Sequence, residues 1–152
     1  DWPRFASAFR FVAETLAKAI ARDGEGATKL IEVKVEGAVS DAAARKIAKT
    51  IVGSNLVKSA MFGADANWGR IIAAAGRAGE PIQTDRVDVF IGDIVVLEQS
   101  RPVKFDEERA AEVLKRDTVY ITVRLNMGNG QGVAWGCDLT YDYVRINAAY
   151  RT

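Results

Sequence analysis

The stretch IEVKVE at residues 31–36 alternates apolar and charged side chains. A period of two places the three apolar residues on one face of an extended chain, which predicts a strand with one buried face. A helix is predicted directly after it, because Ser40 is a good N-cap and apolar residues then recur at helical spacing as far as Gly53. This strand–helix pair is the clearest local pattern in the chain.

Patterns on either side of this pair predict interleaved helices and strands. A first helix would begin at Asp1, carry Pro3 in its first turn and end near Gly24. Its apolar face is made of Phe5, Phe9, Val12, Leu16, Ala19 and Ile20. Downstream, the predicted elements are a helix that carries Trp68, Ile71, Ile72 and Ala75, strands at 87–91 and 95–97, and a helix capped by Asp106.

The C-terminal part has two further alternating runs, at 119–125 and 133–139, separated by Gly-Asn-Gly at 128–130. This pattern predicts a long antiparallel hairpin, and the residues 141–144 continue the alternation. We therefore predict an α+β fold with mixed α/β layers, in which helices pack on a sheet that ends in a C-terminal antiparallel hairpin. No linker or repeat interrupts the chain, so residues 1–152 are predicted to form a single domain.

The charge balance excludes several classes of partner. The chain has 21 basic and 20 acidic residues, which argues against a nucleic-acid-binding surface and against a polybasic membrane anchor. We find neither an apolar run of the roughly 20 residues that a membrane-spanning helix needs nor the apolar core of a signal peptide. The single cysteine cannot form an internal disulfide, so we expect a cytoplasmic protein.

The chain contains no histidine. Ser-His-Asp and Cys-His catalytic groups and histidine-containing zinc sites are therefore excluded within it. Asp93, Asp138 and Asp142 lack the spacing of a calcium loop, and we expect no metal. Cys137 is in register with Val133 and is interpreted as an inert core thiol.

Two glycine-rich segments have a functional and a structural interpretation. In Gly-Glu-Gly at 24–26, the Glu25 carboxylate would bind a substrate ammonium, or the segment is a flexible connector. The run FGADANWGR at 62–70 is either a binding loop or a helix start capped by Asp65. A third segment, GNGQG at 128–132, links two strands, so we interpret it as a turn and not as a phosphate loop.

The C-terminal tail offers polar groups for a ligand. Asn147 has amide donors and an acceptor, and Thr152 has a hydroxyl group. The structural alternative is a C-terminal strand that docks on the sheet and frays at its end.

Taken together, the motifs GEGATK (24–29), ADANWGR (64–70), WGCDLT (135–140) and the tail through residue 152 resemble the ornithine acetyltransferase (glutamate N-acetyltransferase) family. They occur in the family's order and cover nearly the whole chain. The resemblance implies an enzyme that moves acetyl from N-acetylornithine to glutamate in arginine biosynthesis, and some members also accept acetyl-CoA. Family precursors cleave themselves before a threonine, whose α-amine then serves as base. The resemblance implies no cofactor.

By the same resemblance, Glu25, Asn147 and Thr152 are substrate-binding residues, and no catalytic residue is expected in the chain. The resemblance begins partway into the β chain, so we expect the nucleophilic threonine outside this sequence and the chain alone to be inactive. Thr28 is internal and does not replace it.

The expected partners are the two amino-acid substrates, the α chain and the remainder of the β chain, assembled as a hetero-oligomer. The alternative left open is a non-catalytic small-molecule-binding or assembly domain with the same fold.

Overall fold

The structure, a computed structural model, describes residues 1–149, in which helices and strands alternate along the chain. The helices are α1 Trp2–Arg22, α2 Asp41–Val52, α3 Asn55–Phe62, α4 Trp68–Gly76, α5 Glu107–Leu114 and α6 Tyr141–Ala149. The strands are β1 Leu30–Ala38, β2 Asp88–Ile91, β3 Ile94–Glu98, β4 Arg101–Pro102, β5 Thr118–Arg124 and β6 Gly130–Cys137. The predicted α+β class is confirmed. Within this range, no helix has both the length and the apolarity needed to cross a membrane.

One sheet contains all six of these strands, in the order β4-β3-β2-β5-β1-β6. β1 pairs with β5 in parallel and with β6 in antiparallel register, and the other pairings are antiparallel. The strand that the sequence pattern marks most clearly is therefore paired along both edges.

The predicted pairing of the C-terminal hairpin is wrong. β5 and β6 run in opposite directions, as expected, but β1 lies between them. The connection at 125–129 has five residues, enough to cross the roughly 10 Å that two strand spacings require. It is anchored as it crosses, because the amides of Met127 and Gly128 both donate to the Gly37 carbonyl. A glycine-rich connection does not by itself distinguish a tight turn from a crossing over one strand.

The core lies between one face of the sheet and α2, with further buried residues from α3, α4 and α5. Ile31, Val33 and Val35 of β1 are fully buried there. From α2, the residues Ala43, Ala44, Ile47, Ala48, Ile51 and Val52 are buried against them. The predicted Ser40 cap is confirmed, since its hydroxyl oxygen accepts from the Ala43 amide at 3.1 Å.

Small residues on β6 allow α2 to lie very close to the sheet. A Cβ on Gly132 would come 2.4 Å from the Arg45 nitrogen, and a Cβ on Gly130 would come 2.3 Å from the Ser40 carbonyl carbon. Both obstacles are main-chain atoms of α2 or its cap, which cannot rotate away. The even-numbered positions of β6 therefore form the core side of the strand.

The interpretation of Cys137 as a core thiol is wrong for the same reason. The larger side chains of β6 lie at odd positions on the opposite face, where Gln131 is exposed and Val133, Trp135 and Cys137 are half-buried. Cys137 is a half-buried free thiol close to Gly24, where an added Cβ would come 2.5 Å from its Sγ. The alternation in the sequence correctly separates the two faces of β6. The face with the small residues is the core face, because only small residues leave room for α2 to approach.

Three elements differ from the sequence expectations. α3 and β4 were not predicted, and the tail after Thr140 is a helix and not the continued strand. The Thr140 hydroxyl oxygen accepts from the Tyr143 amide at 3.3 Å, which is the contact of an N-cap. Four alternating residues are too few to outweigh such a cap.

α1 forms as predicted, but its apolar face is not covered. None of its residues is buried, and Phe9 is 66% exposed. On its sheet side, the Lys18 ammonium lies 3.2 Å from Glu32 of β1, and the Trp135 indole of β6 donates to the same carboxylate at 2.7 Å. Polar contacts hold α1 to the sheet while its aromatic stripe faces outward.

We expect Gly132→Ala to lower the free energy of unfolding by about 3 kcal/mol, because α2 must move away from β6. Gly76→Ala is the control, because no atom lies within 4 Å of a Cβ added at Gly76. This substitution should leave the free energy of unfolding unchanged or raise it by up to about 1 kcal/mol. Urea denaturation of both variants measures the difference. Equal effects would contradict the proposed close packing.

Candidate functional site

The fold brings Glu25 and Asn147 together, although they are 122 residues apart in sequence. The Asn147 amide nitrogen donates to Glu25 Oε2 at 2.9 Å and to the Tyr143 carbonyl at 2.9 Å. The second bond fixes the amide on α6, so that the first holds the carboxylate against that helix. Thr152, the third residue of the predicted site, lies outside the described residues.

Gly26 allows this meeting because the loop passes directly over the start of α6. Its φ is +68°, and an added Cβ would lie 2.7 Å from the Tyr143 nitrogen. A side chain is therefore excluded by conformation and by space. The Thr140 hydroxyl donates to the Gly26 carbonyl at 2.7 Å, which ties the loop to the helix cap.

Asp138 holds the next part of the loop. It is 3% exposed, and its carboxylate accepts from the Thr28 amide at 2.8 Å, the Lys29 amide at 3.0 Å and the Thr28 hydroxyl. The sequence suggested at most a metal ligand here. Among residues 1–149, no three His, Cys, Asp or Glu side chains are grouped so as to hold a metal ion. A sequence signal for this role was available. Asp138 is the next even-numbered residue after β6, and the even-numbered residues of that strand face the core.

Lys29 connects the loop to α3. It is buried, and its ammonium donates to the carbonyls of Met61 at 2.7 Å and Phe62 at 3.4 Å. These carbonyls end α3, where the helix dipole favours a cation. Burial lowers the pKa of Lys29 below its ordinary value of 10.5, although nearby Asp138 acts in the opposite direction.

The run at 62–70 has a structural role in the described contacts. Asn67, and not Asp65, caps α4 by accepting from the Arg70 amide at 3.1 Å, while Asp65 accepts from the Asn67 amide group. The Phe62 ring packs edge-on against Tyr141 of α6, with 5.4 Å between ring centroids. This run therefore contacts the first turn of α6, the helix that carries Asn147.

The Glu25–Asn147 pair lies on an open surface. Both residues are exposed, and so is every residue of α6. An apolar cavity of about 180 Å³ lies elsewhere, beside Trp68, Ile72 and Leu97. The site is a single wall, formed by one loop and one helix.

The sequence and the fold of this chain both match known proteins. The sequence matches the ArgJ family over residues 1–152. The chain belongs to the ArgJ family. It is 62% identical over 152 residues to the "arginine biosynthesis bifunctional protein ArgJ" of Geobacillus kaustophilus, and 55% identical to the protein of that name from Staphylococcus epidermidis. These matches cover all of this chain, but only 37% and 38% of the respective relatives.

The fold agrees with a solved member of the family. The crystal structure of arginine biosynthesis bifunctional protein ArgJ from Bacillus halodurans superposes with a TM-score of 0.97 at 59% identity. The match covers 99% of this chain and 71% of that one. The family membership predicted from the motifs is confirmed. This chain spans less than half the length of the curated relatives that it matches.

We expect the depressed pKa of Lys29 to appear in the pH dependence of stability. Because the folded chain loses this proton at a lower pH than the unfolded chain, stability should rise with pH between the folded pKa and 10.5. Lys29→Met should flatten the rise, whereas Lys104→Met, an exposed lysine, should not. Urea denaturation across the alkaline range checks this, and an unchanged slope for Lys29→Met would refute it.

Proposed function

We propose that this chain supplies the amino-acid recognition wall of an acetyltransferase that moves acetyl from N-acetylornithine to glutamate, with its nucleophile in sequence outside this chain. The observation that carries the proposal is the 2.9 Å bond between Glu25 and Asn147. Motifs 122 residues apart in an ArgJ-family chain converge on one exposed point, where a substrate can reach both.

The chemistry of the pair suits an amino-acid substrate. N-acetylornithine carries a free ammonium on its side chain, and a carboxylate binds an ammonium by charge-assisted hydrogen bonds. The Asn147 bond engages one oxygen of Glu25, so the carboxylate is oriented and keeps a second oxygen as acceptor. The Asn147 amide oxygen and the Thr152 hydroxyl would recognise further polar atoms of the substrate.

Recognition without a nucleophile still contributes to rate. Positioning a substrate against a reactive group can supply several kcal/mol of the barrier reduction. This chain has no histidine, so it cannot itself supply a histidine base for acyl transfer. The proposed nucleophile, an N-terminal threonine formed by autocatalytic cleavage of a precursor, would carry its own base in its α-amine.

Two observations support a partner that completes the site. This chain covers 71% of the crystallised ArgJ chain but only 37% of the curated Geobacillus relative, so the crystallised chain is about half as long as that relative. Such a length is expected if a precursor is divided into two chains of similar size. In addition, α1 and α6, which flank the Glu25 loop, expose apolar side chains that include Phe5, Phe9 and Val144.

We therefore propose that the remainder of the β chain and the α chain pack on α1 and α6, and that the chains assemble as a hetero-oligomer in the cytoplasm. Residues 1–152 would form one domain of that assembly. Acetyl-CoA would enter, if at all, as a substrate and not as a bound cofactor.

The test is acetyl transfer from N-acetylornithine to glutamate by the complete protein. Glu25→Gln should raise KM for N-acetylornithine about tenfold or more, because a neutral amide binds an ammonium more weakly than a carboxylate does. Glu98→Gln, on an exposed carboxylate of β3, is the matched control and should not change KM. Unchanged kinetics in Glu25→Gln would refute the assigned role, and no transfer by the unmodified complete protein would favour the non-catalytic alternative.

A second test addresses the uncovered surface. The isolated 152-residue chain should self-associate, because an apolar stripe of this size favours burial. The double variant Phe5→Glu with Phe9→Glu should be monomeric by light scattering, whereas Leu56→Glu, an exposed apolar residue on α3, should leave association intact. A monomeric unmodified chain at high concentration would contradict the prediction.

A further inference from the structure

We propose that Asp138 is a positioning residue: its carboxylate holds the 25–29 loop so that Glu25 meets Asn147 in the geometry that binds the amino-acid substrate. The inference rests on the proposed function, to which it adds a residue that does not touch the substrate. It starts from a buried acid at the end of β6 whose hydrogen bonds all lead to one loop.

Both carboxylate oxygens of Asp138 accept hydrogen bonds from the 25–29 loop. One carboxylate oxygen accepts the amides of Thr28 and Lys29, and the other accepts the Thr28 hydroxyl. Three donors on two consecutive residues fix the direction in which the chain enters β1. Glu25 lies three residues before Thr28, so its backbone position follows from that direction.

The same end of β6 also sets the position of Asn147. Two residues after Asp138, the Thr140 hydroxyl donates to the Gly26 carbonyl and its oxygen caps α6. This helix carries Asn147 about two turns after Thr140. The segment 138–140 therefore holds both halves of the site. A change in Asp138 would move Glu25 relative to Asn147 while α6 keeps its cap.

Two facts indicate positioning and not substrate contact. Asp138 is 3% exposed, while Glu25 and Asn147 are exposed. Its oxygens are engaged by main-chain amides and a hydroxyl, which are groups that orient a loop. Lys29, on the same loop, is anchored separately at the end of α3, so loss of Asp138 should loosen the loop at Thr28 without detaching it.

Substitutions separate hydrogen-bond geometry from charge. In Asp138→Asn, one oxygen still accepts two amides and the new NH₂ group donates to the Thr28 hydroxyl oxygen. Asp138→Leu keeps the approximate shape and removes every acceptor. If the role is positioning, asparagine should retain function and leucine should lose it.

The experiment is steady-state acetyl transfer by the complete protein. Asp138→Leu should raise KM for N-acetylornithine about tenfold or more, and Asp138→Asn should stay within about threefold of the unmodified protein. Acetylation of the protein by p-nitrophenyl acetate, a donor with no amino-acid part, should be unchanged in both. Loss of this acetylation in Asp138→Leu would indicate general damage and overturn the proposal, as would an unchanged KM.

Asp88→Leu is the matched control. The Asp88 carboxylate also accepts a loop amide, from Gln99 at 2.7 Å, and a side-chain amide, from Asn126 at 3.0 Å. Asp88 of β2 is level with the far end of β1, because it pairs with Arg124 of β5, which pairs with Glu36 of β1. Glu36 is roughly 20 Å along β1 from Leu30, the residue next to the Glu25 loop. Its loss should lower stability and leave KM unchanged. An equal rise of KM in Asp88→Leu would overturn the proposal.

Two further measurements keep the outcomes distinct. If Asp138→Leu does not fold, Thr28→Val removes the hydroxyl bond alone and should raise KM severalfold, with no change counting against the proposal. Hydrogen exchange of the Thr28 and Lys29 amides should accelerate in Asp138→Leu and not in Asp138→Asn. If the unmodified protein transfers no acetyl group, the proposed function fails, and unaltered exchange would show separately that Asp138 does not hold the loop.

Discussion

The pairing of β1 along both of its edges is the constraint on which the rest of the structure depends. β5 and β6 flank it, so the start of β1 lies beside the end of β6, where Leu30 is opposite Cys137. The residue after Cys137 is the acid that binds the loop before β1. One register thus brings the loop before β1 beside the segment after β6, where Glu25 and Asn147 meet.

The same pairing explains how a polar loop is held without a deep pocket. The Glu25 loop is fixed at three points. Asp138 accepts from the Thr28 and Lys29 amides, the Lys29 ammonium donates to the last carbonyls of α3, and the Thr140 hydroxyl donates to the Gly26 carbonyl. Each of these contacts satisfies a main-chain group or a buried charge that would otherwise cost free energy. The result is an exposed carboxylate on a well-anchored backbone, which suits a surface that another part of a larger protein must complete.

The two faces of the sheet differ in what they need from the rest of the protein. On the α2 side, glycine and alanine on β6 permit helix and strand to pack at main-chain distance, and the core is complete within this chain. On the other side, α1 is held by Lys18, Glu32 and Trp135, while its aromatic residues remain exposed. A finished core on one side and an uncovered helix on the other are consistent with a chain that spans 37% of its curated relatives.

The sequence by itself determined most of the local elements and the family. Alternation marked β1, β5 and β6, Ser40 and Asp106 marked helix starts, and the motifs around Glu25 and Asn147 identified the ArgJ relationship and named both residues. These signals are local, since each depends on the conformation of a few consecutive residues. Only the tertiary structure decided that β1 separates β5 from β6, that the small residues of β6 face the core, and that Asp138 binds Thr28 and Lys29. Those outcomes depend on which segments approach each other although they are far apart in sequence, as Thr28 and Asp138 are at 110 residues. Neither periodicity nor capping carries that information.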